Sequence, residues 1–433
     1  MLLTTRYTKF AATYISAVGL LICFAQTTWA QNPTPAPVDL NIVAHQDDDI
    51  LFMNPDILNT VYIAGHRQVT VYITAGNIGL ADNSPGFNLG PDPQYPLNRE
   101  EGAIAGYSKL LQLADAKKKN PSQFDDFNAV SPSPTPAQTF GRDSRYPDGA
   151  NGSCSICFRC EEHACEIATA GGAWTESNTA ADLAGGSGRD TRGQKAQMKI
   201  GSRTLNVATI GAGPDGPRVT LIFLRVDSPR NVDGNHPNDP SLVSLAQLFT
   251  SPNTKLKIRS RFDQPGYTKQ QLIDQLVQIL QFYQPDIVRT QDTADCQPGA
   301  PCDQNGIIVD YPNAYSIPDE GCDWNGADQL YDHTDHVWGA RFAREALKAY
   351  DHLLNVKIPS TYSIYRGYNV ERRELPETRL TTEDFCLKKG IFFRYATHDD
   401  AAGIDTNPAI ATGFDCFSYI SIGYQQSVSV TPP

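Results

Sequence analysis

Two short clusters concentrate imidazole and carboxylate groups. His45, Asp47, Asp48 and Asp49 fall within five residues, directly after an apolar run. Three carboxylates so close repel one another unless a cation or hydrogen bonds compensate them. A bound divalent metal does that directly. The plain alternative is a solvated acidic turn that caps a helix; it is weakened by His45 and by the strand-like run in front. The second cluster is Tyr331, Asp332, His333, Thr334, Asp335 and His336, just before and at the start of a helical pattern. His333 and His336 are three apart and share a face in helical geometry. Surface pairs with that spacing are common. Together, however, the two clusters offer His, carboxylate and His, which is the ligand set of a catalytic zinc site with one position left for water.

Such clusters need elements to hold them. Residues 38–44 and 68–74 read as strands, and a helical stretch follows Arg99 to about Leu113. Residues 218–226 form a nearly continuous apolar run of the kind seen in buried parallel strands. Thr268 and Gln271 form a capping box ahead of an apolar face made by Leu272, Ile273, Leu276, Ile279, Leu280 and Tyr283. Pro285 ends that helix, residues 286–290 resume a strand, and a further helix follows His333. Ile358 to Tyr368 reads as a strand, a helix runs from about Thr382 to Tyr395, and the tail from Ser427 reads as frayed. The alternation predicts an α/β fold: a Rossmann-like, mostly parallel sheet flanked by helices. Ligand sites in such sheets lie off the carboxyl ends of strands. Between about 117 and 217 the regularity fails, and most of this stretch reads as a Cys-containing insertion on the rim of the sheet. Gly211 to Gly216 matches a dinucleotide fingerprint by letters alone, and its place before a strand makes it a turn.

Read together, these motifs resemble the PIG-L/LmbE-like family of zinc-dependent N-deacetylases. The family's Ala-His-Pro-Asp-Asp-Glu stands here as Ala44, His45, Gln46, Asp47, Asp48, Asp49, and its His-Pro-Asp-His as His333, Thr334, Asp335, His336. Thr74, Ala75 and Gly76 match a Thr-x-Gly after the second strand, and Arg99 with Glu100 and Glu101 matches an Arg-Glu opening a helix. Gln46 and Thr334 replace prolines and Asp49 replaces glutamate, so no expected ligand is lost. The resemblance spans roughly 38–115 and 218–350. It implies that His45, Asp48 and His336 bind Zn2+, that Asp47 is the general base, and that His333 polarises the carbonyl or acts as general acid. It further implies that Asp335 orients His333, that Tyr331 donates to the oxyanion and that Arg99 helps bind a sugar. The implied reaction is hydrolysis of the N-acetyl amide of an N-acetylglucosamine-type sugar. Either His333 or protonated Asp47 could return the proton to the amine. Two other readings compete: a catalytically silent carbohydrate-binding protein that retains the metal site, and a metallo-β-lactamase-type hydrolase. The second is suggested by residues 331–336, but it expects its motif early in the chain and leaves the first cluster unexplained.

The chain has 433 residues, 40% of them hydrophobic and 19% charged, enough for a sizeable core. Residues 1–30 read as a signal peptide: Arg6 and Lys9, an apolar stretch from Phe10 to Ala25, then Ala30 at a cleavage position. Residues 31–37 form a Pro-rich linker, and 38–433 form the expected catalytic domain. Cleavage would remove two positive charges and no negative one from a formal net charge of −12. An acidic, exported protein argues against nucleic acid as a partner and against stable membrane insertion, and points to a periplasmic or extracellular location. Of ten cysteines, the nine left after Cys23 is removed with the signal peptide read as disulfides with an odd one over. Cys154, Cys157, Cys160 and Cys165 have spacing that also suits a structural metal or cluster, but two local bridges are preferred. Cys296 and Cys302 read as a loop staple. His236 reads as a solvated loop residue, and His398 to Asp400 as surface or substrate rim.

Overall fold

The computed structural model describes residues 35–63, 65–76, 95–119, 193–213, 215–227, 243–262, 265–293, 334–365 and 425–429, with a few positions between 367 and 399. The chain divides into Met1–Ala36 and Pro37–Pro433, and every element below belongs to the second unit. The expected signal peptide, all ten cysteines, His236, Tyr331 and His333 lie outside the described residues.

The strand β1 (Val38–Val43) is buried at every position. It pairs in parallel with β2 (Arg67–Thr74) on one side and with β6 (Ile287–Gln291) on the other. Beyond β2 lies β5 (Gly216–Val226), also parallel, and beyond β6 lies β7 (Thr361–Tyr365), again parallel. Antiparallel strands extend both edges: β4 (Arg203–Gly213) and β3 (Gln194–Ile200) on one, β8 (Gln425–Ser429) on the other. The order is β3-β4-β5-β2-β1-β6-β7-β8. This is the α/β architecture expected, with a parallel centre and antiparallel margins.

Three departures from the expectation stand out, two of them at those margins. Residues 194–213, read as part of an irregular insertion, form a hairpin within the sheet. The helix expected to end near Leu113 runs on to Lys119. The tail read as frayed supplies β8. The turn expected at Gly211 to Gly216 is present: Gly213 pairs with Gly216 where β4 folds back into β5.

Strand geometry sends alternate side chains to opposite faces, and the core splits accordingly. Val69, Val71 and Ile73 of β2 join Leu40 and Ile42 of β1 in one apolar cluster, while Tyr72 and Val43 join the other. On the first face pack α4 (Leu245–Thr250), α5 (Lys269–Tyr283) and α6 (Thr334–Asp351), through Leu276, Ile279, Phe342, Ala346 and Tyr350. On the second pack α1 (Asp48–Phe52), α2 (Asp56–Ile63) and α3 (Tyr95–Lys119), through Leu51, Leu58, Tyr107, Leu110 and Leu111. The capping box of α5 is formed in full: the Thr268 hydroxyl accepts from Gln271 N at 3.2 Å, and the Gln271 side chain accepts from Thr268 N at 3.0 Å. The helix stops at Gln284, whose φ of 46° turns the chain before Pro285. No helix among the described residues is long and apolar enough to cross a membrane.

The chain leaves β1 towards β2 on one side, while β6 takes the other flank. The carboxyl end of β1 is therefore a topological switch point, the place where open α/β sheets form ligand crevices. The first chemical cluster stands there.

Candidate metal centre

Past Val43 the chain is still pinned to the sheet: Thr74 donates to the Ala44 carbonyl through its backbone N at 2.9 Å and its hydroxyl at 3.0 Å. Residues 44–47 then bend into α1, with Asp47 at the N-cap. The Asp48 carboxylate turns back and accepts from His45 N at 2.6 Å through Oδ2. That bond closes the turn and leaves the second oxygen, Oδ1, facing the imidazoles. His336 arrives in the first turn of α6, which lies against β1 with Gly339 over Ala44 and Ile73.

The result is a compact, buried triplet. His336 Nε2 lies 2.9 Å from Asp48 Oδ1 and 3.2 Å from His45 Nδ1, and His45 Nδ1 lies 3.4 Å from Asp48 Oδ1. Asp48 and His336 are 0% exposed and His45 is 2% exposed. Asp48 Oδ1 has no well-aligned hydrogen-bond donor, despite the two ring nitrogens beside it. Buried polar atoms are rarely left in that state. Three donor atoms aimed at one point fit a cation. Tetrahedral coordination at about 2.0–2.2 Å would space its ligand atoms roughly 3.3–3.6 Å apart, close to the separations found. His45, Asp48 and His336 thus form a His-Asp-His group that could hold a metal ion.

The surroundings match that use. The far nitrogen of His45, Nε2, faces Asp335 Oδ2 at 3.3 Å, an outer carboxylate of the kind that fixes a ligand imidazole's tautomer and orientation. Sequence reasoning paired Asp335 with His333, which lies outside the described residues; among the described residues Asp335 faces His45. Burial works to raise the Asp48 pKa, but the two imidazoles outweigh it and hold the carboxyl well below the usual range. Burial likewise works to lower the His45 pKa, and Asp48 and Asp335 reverse it to a net rise. Both directions express the mutual attraction of ligands that a metal would replace with its own charge.

Asp47 and Asp49 diverge from this point. A helix turns about 100° per residue, so three consecutive carboxylates cannot share one target. Asp49 points into the core, where it accepts from Tyr107 OH at 2.5 Å and from Tyr72 OH at 3.2 Å, and burial pushes its pKa up to about 7. Asp47 is buried too, but at 8% exposed it is the least so of the three. Its carboxylate accepts a hydrogen bond from Arg99 Nη2, and burial, opposed by Arg99, raises its pKa. Arg99 Nη1 donates to the Gly76 carbonyl at 3.0 Å and Nε to Tyr395 OH at 2.7 Å. Neighbouring Glu100 anchors the start of α3 to the end of β5 by two bonds to Arg225, at 2.6 and 2.7 Å. Asp399, read from sequence as surface or rim, is instead buried beside this group, 3.1 Å from Arg99 Nε.

Gly76 carries a φ of +60°, and a Cβ there would lie 2.4 Å from Arg99 Nη1 and 2.5 Å from Gln46 Oε1. Gly65 has the same φ with nothing within 4 Å of its Cβ position. Left-handed backbone costs a non-glycine residue about 1–2 kcal/mol. Chemical denaturation is therefore expected to show Gly65→Ala losing about that amount, and Gly76→Ala losing more because Arg99 must also move. Equal losses would show that the guanidinium yields freely.

No family model matches the chain, and no curated protein does either. Among solved structures, the N,N'-diacetylchitobiose deacetylase from Pyrococcus horikoshii, complexed with its inhibitor MPG, aligns over 97% of this chain and 93% of its own. The identity is 13% and the TM-score 0.35. A likeness of that size carries no inference about this protein.

Proposed function

We propose that the protein is a metal-dependent amidohydrolase that uses Zn2+ to remove the N-acetyl group from an N-acetylglucosamine-type sugar or glycoconjugate. The observation that carries the reading is the buried convergence of His45, Asp48 and His336 with the more exposed Asp47 beside it. The acetyl group and the sugar come from the motif resemblance. When bound at this triplet, a divalent cation supplies Lewis acidity, polarising an amide carbonyl and making water ionise near neutral pH. Asp47 stands next to the ligands with its pKa raised, suited to take a proton from water as the oxygen adds to the amide carbon. The C–N bond then breaks, acetate leaves, and the amine takes a proton from Asp47 or from His333. Tyr331 and His333 are assigned the oxyanion by the resemblance, where losing one donor costs on the order of 100- to 1000-fold in rate. Asp335 orients His45, and through it the ligand set. Arg99 is assigned to Asp47 and, through the resemblance, to the sugar. The same reading has the chain exported after loss of residues 1–30, acting on sugars outside the cytoplasm and not on nucleic acid.

The test is acetate release from N-acetylglucosamine and its short oligomers by purified, zinc-loaded protein. Release that stops with a chelator and returns on adding zinc is the expected result. A protein that carries zinc and binds these sugars but never releases acetate would be a silent binding protein instead.

A further inference from the structure

Asp47 is held in an unusual way. As N-cap residue it makes no side-chain cap bond to its own helix. Among the described residues, the hydrogen bond that fixes its carboxylate comes from Arg99. Arg99 in turn has every edge of its guanidinium engaged: Nη2 on Asp47, Nη1 on the Gly76 carbonyl, Nε on Tyr395 OH and 3.1 Å from Asp399 Oδ2. Asp399 is gripped from two further directions, by Tyr95 OH at 2.7 Å and by Tyr395 OH. One buried cation thus sits between two buried carboxylates, and two tyrosines hold the outer one. A guanidinium is planar and its donors form a rigid fork. Fixing its Nε edge therefore fixes the direction of its Nη2 edge, and with it the carboxylate that Nη2 holds. A role limited to neutralising Arg99 would need neither Tyr95 nor Tyr395.

The geometry points to Asp399 as a positioning residue for the reaction: with Tyr95 and Tyr395 it locks Arg99, and Arg99 holds the Asp47 carboxylate in place beside the metal centre. Asp399 lies 304 residues from Tyr95 in sequence, so the segment near the C-terminus is recruited to the site. This inference rests on the deacetylase reading and goes beyond it, since nothing in that reading requires residues 395–399.

The test uses the zinc-loaded full chain with Asp399→Asn, which keeps the shape and an acceptor but removes the charge. Metal content is expected to stay within about twofold of wild type while kcat falls about 10- to 100-fold, the range typical of losing an outer-shell partner. In an Asp47→Asn background the same change is expected to lower kcat by less than about twofold, because residues acting as one unit are not additive. A crystal structure of Asp399→Asn should show the Arg99–Asp47 pair displaced. Tyr395→Phe, which removes a single hydroxyl, carries the same expectation in milder form and serves if Asp399→Asn does not fold. A wild-type kcat in Asp399→Asn, lost metal, an undisplaced pair, or losses that multiply in the double variant would overturn the inference. Those outcomes leave the deacetylase reading standing. A zinc-loaded wild type that releases no acetate overturns both.

Discussion

Under the proposed metal-dependent deacetylation, His336→Ala is expected to leave the protein folded but unable to hold a metal ion, with acetate release at background. The imidazole it removes is fully buried and supplies one of three converging donors. Two protein ligands remain, His45 and Asp48, and a buried carboxylate then keeps only one imidazole to offset its charge. Losing an outer-shell partner alone costs about 10- to 100-fold in metal affinity or activity, so losing a direct ligand should exceed about 100-fold. The fold should survive. The packing of α6 comes from Phe342, Ala343, Ala346, Leu347 and Tyr350, all one or more turns further along the helix. Two readouts separate lost metal from lost structure. Elemental analysis should find substoichiometric zinc in the variant. Added zinc should raise the melting temperature of the metal-free wild type, as any ligand of the native state does, and leave that of the variant unmoved. A variant that retains stoichiometric zinc and full turnover would mean that the triplet is not the metal site.

The parts of this site that sequence made legible are those carried by short-range pattern. His45 and Asp48 are three residues apart in one turn, and His336 opens a helix whose apolar face was plain. The parallel centre was legible on similar grounds: β1 and β2 read as strands, β5 as a nearly continuous apolar run, and β6 as a strand resuming after Pro285. The margins were not. β3 is largely exposed, with Gln194, Lys195, Gln197 and Lys199 along it, a composition that guards a sheet edge against unwanted pairing and leaves only Ala196, Met198 and Ile200 to mark a strand. Gly211 and Gly213 near the end of β4 pointed to a turn and hid the strand leading into it. Asp399 was out of reach on other grounds. Its partners, Tyr95 and Arg99, are brought to it by the fold, and a His-Asp-Asp triplet after a helix looks like surface unless those partners are known. Asp49 could have been separated from its neighbours by helical geometry alone, since the residue after Asp48 must point about 100° away. Its tyrosine partners, one on β2 and one on α3, could not have been named.

Asp47→Asn tests whether the most open of these carboxylates does chemistry or only sits near it. The substitution keeps size and an acceptor oxygen for Arg99 but removes the capacity to take a proton. The metal ligands are untouched, so zinc content is expected to match wild type. KM should change little, and kcat should fall by about 10²- to 10⁴-fold, the usual contribution of a positioned general base. Asp48→Asn is the contrast. Its carboxylate oxygen lies between two ring nitrogens, and the neutral amide is a weaker ligand that brings an N–H₂ group into a cluster already holding two imidazoles. Metal loss should therefore accompany its loss of rate. The two neighbouring substitutions, identical in chemistry, are thus expected to separate: one protein with zinc and no turnover, one with neither. That difference follows from the first turn of α1, which sends Asp48 inward to His336 and leaves Asp47 against Arg99. If Asp47→Asn kept both zinc and full turnover, proton transfer would belong to another group. If it lost zinc as Asp48→Asn does, Asp47 would be a fourth ligand and not a base.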